Sequence, residues 1–594
     1  MTLIVPTYTP KEAEFYGRFG KEMQKALTNP NQSIGTSIEE LAKNIPSKNA
    51  LLYQDSSWTW KEFNKESNLI ANHFLNSGLE PGNTVALMLE NSPEYLFYTT
   101  AINKLQGVSA LINFNLRKQA LIHSFQLVEP RWIIVDGDSL PYFSEIVEDL
   151  DYPIENIYVV NNLKKKSHDF NNLQTITKNL SRNNPDTTNN SILRQTAFYI
   201  YTSGTTGLPK ACVMENFKLF TQGNFLGIAF TQVDINDIVY IPTPLYHNLA
   251  IGVAWPAIFR TGAAIAIRKR FSASEYWRDI HKFQATYSIY VGEIPRYLLN
   301  QSPSEYEKNH TLKKMLGLGL RKEIWEKFQS RFQIEHLYEF YGLTEGHRSL
   351  VNLEEIPGMI GRLTQAGLVL VKVNPETGEF YRDERGYCVK CKPGDIGMVL
   401  LKIDKGTFFK GYKDQNKTED KYIQDVFIKN DTYFNTNDML MLHDDLWVSF
   451  ADRFGDTYRW KGENVSTLEI ESILNSYPSI YMSAVYGVSI PNTEGKAGMA
   501  AIKLEPSLKF DIVDFSQYVR EVLPSYSIPV FIRICENDLE ITGPYKIKKS
   551  NLRHEGYDIE LISDNVFLWN QQDRRYIFMD IGIYQELING QFII

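Results

Sequence analysis

Apolar residues recur along the first half of the chain with two different spacings. Helical spacing predicts amphipathic helices at 60–76 and 93–105. Short, continuous apolar runs predict buried strands at 84–89, 132–135, 263–267 and 287–291. Strands separated by helices of this length are typical of parallel sheets covered by helices, so we expect two α/β layers before about residue 340.

The pattern changes in the second half of the chain. Between about 364 and 450, short apolar segments alternate with Gly, Asp and Asn turns, which predicts a small β-rich subdomain. A polar break follows at 452–457, and from about 466 helix and strand patterns alternate again. We therefore expect a large N-terminal domain, 1–452, with two α/β subdomains and the β-rich one, and a smaller α+β C-terminal domain, 453–594.

Two segments have an unusual composition, one rich in asparagine and one without charge. The Asn-rich stretch 181–190 is predicted to be a surface linker. Residues 238–259 carry no formal charge and are long enough to span a bilayer. Three prolines and a polar centre argue against a membrane helix there, so we expect a buried strand, a loop and the start of a buried helix.

Composition narrows the class of protein. A chain of 594 residues is too long for one core, and a formal charge of −8 argues against a nucleic-acid partner. Four cysteines form no disulfide framework, and Cys388 and Cys391 lack a second pair that would complete a zinc set. Residues 1–6 show no basic region followed by an apolar core, so we expect no signal peptide. We expect a cytoplasmic protein, with peripheral membrane contact and oligomeric state left open.

The loop 202–210 is the strongest candidate for chemistry. It follows a predicted buried strand, 197–201, and holds two glycines, four Ser/Thr hydroxyls and a lysine. Gly204 and Gly207 permit close backbone approach, so amides, hydroxyls and the Lys210 ammonium can converge on one oxyanion. In a Walker loop Ser or Thr directly follows Gly-Lys, which is not the case here. We interpret the segment as a different kind of phosphate loop; taken alone, it could also be a polar turn between strands.

Four further polar segments lie beside predicted turns or strand ends: 338–346, 434–438, 452–466 and 542–549. In this order and separation they resemble the adenylate-forming superfamily of acyl-CoA synthetases, luciferases and peptide-synthetase adenylation domains. The resemblance covers about 35 to about 585. Within it, the segments most similar to the fatty acid transport protein / very-long-chain acyl-CoA synthetase family are 199–210, 245–247, 452–469 and 542–549.

The resemblance implies a two-step reaction. A carboxylate attacks the α-phosphate of ATP to give acyl-adenylate and pyrophosphate, and the thiol of coenzyme A then displaces AMP. Bringing an anion to a polyanion requires charge neutralisation and alignment. Thr344 would contact the α-phosphate, and Glu345 would bind Mg²⁺, a hard cation that prefers oxygen ligands. The residues of the phosphate loop that would bind the nucleotide are Thr202, Ser203, Gly204, Thr205, Thr206, Gly207 and Lys210.

Further roles follow from the same resemblance. Tyr341 would lie against the adenine, unless it is simply a core tyrosine. Asp438 and Arg453 would bind the ribose. Where the family has Thr-Gly-Asp, this chain has Asn437 in place of the glycine, and asparagine tolerates a left-handed backbone, so the turn can persist. His347 is a second departure, close to the expected position of the acyl carboxylate.

The C-terminal segments would serve the two steps in turn. Lys546 matches the family's catalytic lysine, whereas the neighbouring Lys548 and Lys549 are expected to be solvated. The resemblance implies that the smaller domain is mobile and turns about a hinge within 452–456, bringing the loop with Gly462 and Glu463 to the reaction centre for the coenzyme A step. His247 would lie at the mouth of the acyl tunnel, or else be a buried structural histidine.

Three functions remain open at this point. The first is an ATP-dependent ligase for long- or very-long-chain fatty acids, with the fatty acid, ATP and coenzyme A as substrates. The second is a ligase for a branched, sterol-derived or short acid, or one that stops at the acyl-adenylate. The third is a fatty-acid uptake or membrane-interaction protein with a weak ligase site.

Overall fold

The computed structural model describes residues 8–161, 170–203, 208–374, 377–404, 409–453, 458–460, 463–491, 493, 496–541 and 547–591. The chain packs as two compact units. The first unit comprises Met1–Leu320, Lys327–Ile356 and Lys405–Tyr422. The second unit comprises Arg321–Glu326, Pro357–Asp404 and Ile423–Ile594. The boundary predicted at 452/453 separates a C-terminal domain that is expected to turn between adenylation and the coenzyme A step. That boundary stays a prediction.

The first unit contains a seven-stranded sheet. Its strands, in sheet order, are β7 (Asn171–Asn172), β6 (Ile157–Val160), β5 (Trp132–Asp136), β3 (Thr84–Met88), β4 (Val108–Leu111), β8 (Thr196–Ser203) and β9 (Pro209–Glu215). Neighbouring strands run parallel except β8 and β9, which are antiparallel. The central strands are buried along their whole length, as expected of a parallel sheet covered by helices.

An eight-stranded sheet forms the other layer of this unit. Its strands, in sheet order, are β15 (Ser349–Val351), β14 (His336–Gly342), β13 (Lys314–Leu318), β12 (Tyr287–Val291), β10 (Ile238–Ile241), β11 (Ala264–Ile267), β1 (Asn49–Tyr53) and β2 (Ser56–Thr59). The six strands from β14 to β1 are parallel to their neighbours, and the two edge strands are antiparallel. The carboxyl ends of the parallel strands therefore meet at one edge.

The second unit is built on three smaller sheets. A six-stranded sheet orders β16 (Gly361–Arg362), β21 (Trp447–Arg453), β20 (Thr432–Leu442), β18 (Ile396–Ile403) and β17 (Leu368–Val371), with β19 (Tyr422–Gln424) also paired to β20. A five-stranded sheet orders β24 (Ile480–Val488), β25 (Ala497–Leu504), β26 (Phe531–Ile534), β27 (Asn565–Asn570) and β28 (Arg575–Phe578). A hairpin pairs β22 (Tyr458–Trp460) with β23 (Glu463–Val465).

Several helices begin at a residue whose side chain caps the first turn. Thr9, Ser33 and Thr59 each form a reciprocal capping box with the third residue of the helix that follows. The α-helices are α1 (Pro10–Thr28), α2 (Ile34–Asn44), α3 (Trp60–Asn76), α4 (Pro93–Lys104), α5 (Lys118–Val128), α6 (Leu140–Ser144), α7 (Leu173–Thr177), α8 (Asn216–Gln222), α9 (Trp255–Thr261), α10 (Tyr276–Phe283), α11 (Ile294–Leu299), α12 (Lys322–Phe332), α13 (Gln415–Glu419), α14 (Thr467–Asn475), α15 (Ile512–Val522), α16 (Lys549–Glu555) and α17 (Ile581–Ile588).

This architecture confirms the predicted α/β class with a β-rich subdomain and a smaller α+β region. The segment weighed as a membrane span forms β10, a buried π-helix at Leu249–Ala254 and α9. Throughout the described ranges, no helix is both long enough and apolar enough to cross a bilayer.

The prediction of a surface linker at 181–190 is confirmed for most of the stretch, in which only Pro185 and Thr188 are buried. Thr188 is fully buried. The side-chain oxygen of Asn184 accepts hydrogen bonds from Asn64 and Asn68 on α3, at 2.8 and 2.7 Å. The stretch is therefore exposed along most of its length and is attached to α3 through Asn184.

The expectation that Lys549 is solvated was wrong. Its ammonium lies 2.7 Å from a carboxylate oxygen of Glu471 and donates to the hydroxyl of Thr467 at 2.9 Å. The Lys549 and Glu471 side chains are only 13% and 3% exposed. Lys548, by contrast, is exposed and pairs with Glu540 near the surface. Lys549 therefore anchors α16 to α14.

We predict that Glu471→Gln destabilises the protein by about 3 kcal/mol or more, because it leaves the buried Lys549 ammonium without its anion. Lys548→Met is the matched control, and loss of that exposed pair should cost less than about 1 kcal/mol. Both are measured as free energies of unfolding in urea. Equal costs for the two variants would contradict a buried role for the Lys549–Glu471 pair.

Candidate functional site

The predicted phosphate loop connects two antiparallel strands. Thr202 near the end of β8 lies opposite Lys210 near the start of β9, and Ser203 lies opposite Pro209. The aromatic and β-branched residues of β8 favour the strand, and the hairpin brings both ends of the loop together. Residues 204–207 lie outside the described residues. A Walker loop leads from a strand into a helix, so the prediction of a different kind of loop agrees with this connection.

A third chain segment, 409–413, lies along the outer side of β9. The amide of Val213 donates to the carbonyl of Gly411 at 2.9 Å, and the amide of Lys413 donates to that of Ala211 at 2.8 Å. These bonds place Tyr412 beside the phosphate-loop hairpin, with Lys210 Nζ 5.2 Å from the centre of its ring. A cation at this distance over a tyrosine is attracted to the face of the ring.

The turn that holds Thr344 and Glu345 follows β14, at the carboxyl edge of the eight-stranded sheet. Ligand sites of parallel α/β sheets lie at such edges. The hydroxyl of Tyr412 donates to Glu345 Oε1 at 2.8 Å. The ammonium of Lys218, on α8, donates to the carbonyl of Thr344 at 2.5 Å. The structure thus brings Glu345 and Lys210 together at Tyr412, while Lys218 contacts the adjacent Thr344.

Burial sets the electrostatics around this turn. It lowers the pKa of Lys218 to about 8, and the neighbouring Cys212, Glu345 and Glu215 groups act in the opposite direction. Burial also raises the pKa of the Cys212 thiol, so the sulfur stays protonated at neutral pH. Its Sγ lies 3.7 Å from the hydroxyl of Thr202. The thiol is a packing group here, because a protonated thiol is a poor nucleophile.

The three remaining aromatic candidates of the first unit lie at or near the same sheet edge. Tyr341 is buried in β14 and pairs in register with Leu350. The ring of His347 lies 5.3 Å from that of Phe409. His247 follows β10 and is half-buried, with its amide donating to the carbonyl of Pro244 at 3.1 Å. Their roles toward a ligand stay predictions.

In the second unit, Asp438 lies in a β-bulge. The register of β20 against β18 jumps from Met398 opposite Met439 to Leu400 opposite Asn435. Residues 436–438 therefore oppose a single residue, Val399, and the Thr436 hydroxyl donates to its carbonyl at 3.0 Å. Bulges re-aim side chains next to functional sites.

Asn437 has the conformation that the sequence requires of it. Its φ of 61° is left-handed, as a glycine would permit, and its amide donates to Asn435 Oδ1 at 3.0 Å. The expectation that asparagine preserves this turn is confirmed. Asp438 beyond it is 3% exposed and lies opposite Arg453 across β20 and β21.

Several predicted site residues are described in part or not at all. For Ser203, Arg453 and Glu463 the backbone alone is described. Gly204, Thr205, Thr206, Gly207, Gly462 and Lys546 lie outside the described residues. The predicted hinge likewise includes residues outside them, 454–456.

Glu345 fits the donor chemistry of a Mg²⁺ ligand. The described residues hold no cluster of three or more His, Cys, Asp or Glu side chains that could bind a metal. Mg²⁺ in phosphate-transferring sites is commonly held by one or two carboxylates, with substrate phosphates and water completing the shell. A single carboxylate oriented by the Tyr412 hydroxyl matches that requirement.

Sequence reasoning missed Tyr412 and Lys218. Both belong to segments that look ordinary in the sequence, a Gly-Tyr-Lys turn at 411–413 and a short amphipathic helix. The signal that could have found Tyr412 is the neighbouring Gly411, since a glycine in an extended segment often marks close approach of another backbone. Nothing in the sequence marks Lys218.

Comparison with protein families gives two matches. The family model for AMP-binding enzymes matches residues 38–398. The model for the C-terminal domain of AMP-binding enzymes matches residues 469–546.

Individual proteins of known name are similar over nearly the whole chain. Long-chain fatty acid transport protein 2 of Rattus norvegicus is 34% identical over 562 residues, covering 93% of this chain and 90% of that protein. The medium/long-chain-fatty-acid–CoA ligase FadD6 of Mycobacterium tuberculosis is 32% identical, covering 93% and 91%. Among solved structures, the anthranilate CoA ligase AuaEII in complex with anthranoyl-AMP superposes with a TM-score of 0.75 at 20% identity, covering 89% and 98%. That last likeness is one of fold.

We predict that Asn437→Val destabilises the protein by about 1–3 kcal/mol, because a β-branched residue is strained at positive φ. Asn437→Gly should stay within about 1 kcal/mol of the wild type, since glycine adopts this conformation freely. Urea unfolding measures both. A Val variant as stable as the Gly variant would show that the left-handed turn is not required.

Proposed function

The chain belongs to the AMP-binding enzyme family, and within it to the group of the long-chain fatty acid transport proteins; from this we propose that it is an AMP-forming ligase that joins long- or very-long-chain fatty acids to coenzyme A. The membership agrees with the resemblance inferred from the sequence motifs. FadD6, a relative of similar identity, is named for the same reaction on medium- and long-chain acids.

The observation that carries the proposal is the junction of Lys210, Tyr412 and Glu345. The Lys210 ammonium, at the base of the phosphate loop, lies 5.2 Å from the centre of the Tyr412 ring. The Glu345 carboxylate, after β14, lies 2.8 Å from the Tyr412 hydroxyl. Positive and negative groups held this close suit a substrate that is both a polyanion and a magnesium ligand.

The proposed reaction has two steps. A carboxylate oxygen of the fatty acid attacks the α-phosphorus of ATP, and the bond to the pyrophosphate oxygen breaks. The sulfur of coenzyme A, its proton lost to solvent, then attacks the acyl carbon, and AMP leaves with the oxygen that came from the fatty acid. Lys210 neutralises phosphate charge, and Thr344 orients the α-phosphate for attack in line.

The remaining roles are proposed from the family motifs. Glu345 would hold Mg²⁺, which supplies charge neutralisation on the phosphates when bound. Tyr341 would contact the adenine, and Asp438 and Arg453 the ribose. Lys546 would bridge the attacking carboxylate and the α-phosphate, and the loop with Gly462 and Glu463 would serve the coenzyme A step.

A panel of acids tests the substrate class. Pyrophosphate release would be measured with butyrate, octanoate, palmitate, lignocerate, phytanate and cholate, each with and without coenzyme A. We expect the highest kcat/KM with palmitate or lignocerate, and acyl-CoA formation only when coenzyme A is present. Preference for butyrate, phytanate or cholate would contradict the proposed substrate. Absence of pyrophosphate release with every acid would contradict a ligase.

A separate prediction concerns Lys546. Lys546→Ala should lose about 3 kcal/mol or more of transition-state stabilisation in adenylation, at least roughly a hundredfold in rate. Supplied with synthetic acyl-adenylate and coenzyme A, the same variant should form acyl-CoA at close to the wild-type rate. Lys548→Ala is the control, because that lysine is exposed and paired with Glu540. Equal impairment of both half-reactions by Lys546→Ala would contradict a role confined to adenylation.

A further inference from the structure

Tyr412 is a buried tyrosine between two charged groups of the candidate site. It is 4% exposed, and its hydroxyl donates to the carboxylate of Glu345. Its ring lies beneath the ammonium of Lys210. One side chain therefore contacts a phosphate-loop cation and the proposed Mg²⁺ ligand at the same time.

The position of Tyr412 is fixed by its backbone. The ladder between 411–413 and β9 holds it from both sides, and its own amide donates to the Thr418 hydroxyl at 3.0 Å. Because β9 also carries Lys210, the bond between the Tyr412 hydroxyl and the Glu345 carboxylate opposes movement of Glu345 away from Lys210. Hydrogen bonds to a carboxylate are roughly twice as strong as those between neutral groups.

Lys218 fixes the same turn from another element. It donates to the carbonyl of Thr344 at 2.5 Å from α8, the helix that directly follows β9. Placing an ammonium in partly buried surroundings costs free energy through desolvation. Here that ammonium orients the residue next to Glu345.

We propose that Tyr412 and Lys218 are positioning residues that fix the Thr344–Glu345 turn relative to Lys210 for adenylation. The inference rests on the proposed function, because it assigns these residues a purpose in that reaction. Tyr412 orients the Glu345 carboxylate through its Oε1 atom, and Lys218 orients the main chain one residue earlier. Partners that orient a metal ligand in this way typically contribute 10- to 100-fold in affinity or activity.

Tyr412→Phe is the first test, because it removes only the hydroxyl and keeps the ring under Lys210. The matched control is Tyr201→Phe, since the Tyr201 hydroxyl donates to the Ser124 carbonyl at 2.7 Å from the same hairpin. We expect Tyr412→Phe to lower kcat of adenylation by about 10- to 100-fold, with the KM for the fatty acid unchanged. Tyr201→Phe should keep kcat within about twofold while losing a comparable buried hydrogen bond.

A calorimetric measurement gives a readout independent of turnover. The dissociation constant of the Mg²⁺ complex of α,β-methylene-ATP should rise several-fold in Tyr412→Phe and stay unchanged in Tyr201→Phe. The same measurement without Mg²⁺ should show little difference between the two variants. This pattern separates loss of Glu345 orientation from general loss of stability, which urea unfolding measures in parallel.

Lys218 is tested by conservative rescue. Lys218→Met removes the donor and should lower kcat of adenylation, whereas Lys218→Arg keeps a cationic donor and should recover most of it. In a double-mutant cycle, Tyr412→Phe should have little further effect on kcat in a Glu345→Gln background, because the two changes remove one interaction.

Three results would overturn the inference: equal kcat and nucleotide affinity for Tyr412→Phe and Tyr201→Phe, independent multiplication of effects in the cycle, or equal loss in both Lys218 variants. Failure of the proposed function is a different result. In that case the wild type itself would form no acyl-adenylate with any acid, while the calorimetric comparison would still decide whether Tyr412 orients the site.

Discussion

The antiparallel pairing of β8 with β9 is the constraint on which the site in the first unit depends. It brings Thr202 opposite Lys210 and so closes the two ends of the phosphate loop. It also turns the chain back, so that β9 becomes an edge to which 411–413 can add. Tyr412 on that segment reaches Glu345, and Lys218, on the helix that follows β9, reaches Thr344. Local strand pairing thus determines where several distant polar groups meet.

The second unit uses a different device to place a polar side chain. In a regular strand, successive side chains point to opposite faces of the sheet, so the face of Asp438 would be set by that of its neighbours. The bulge at 436–438 breaks that alternation, and the left-handed Asn437 makes the break possible without a glycine. The Thr436 hydroxyl then satisfies the Val399 carbonyl that the broken ladder would leave unpaired. An acid can therefore be buried in a sheet at low cost in backbone hydrogen bonds.

Features determined by local chemistry were predictable from the sequence. The apolar residues of α3 follow helical spacing, which predicted its observed bounds, and the structure adds a capping box of Thr59 and Glu62 at its start. Strand β12 was predicted because its apolar run is uninterrupted. Asn437 was predictable as well, since tolerance of a left-handed backbone is a property of asparagine itself. The environments of Lys549 and Tyr412 were not predictable. Their environments come from Glu471 and Glu345, which are distant along the chain, and neither pairing leaves a mark in periodicity or composition.

The central claim is that this chain activates a carboxylate by attack on the α-phosphorus of ATP. Palmitate labelled with oxygen-18 in its carboxylate tests it directly, with AMP and pyrophosphate analysed by mass spectrometry after turnover with coenzyme A. The account predicts that each AMP formed carries one oxygen-18 atom and that pyrophosphate carries none. Unlabelled AMP, or label in pyrophosphate or orthophosphate, would contradict it.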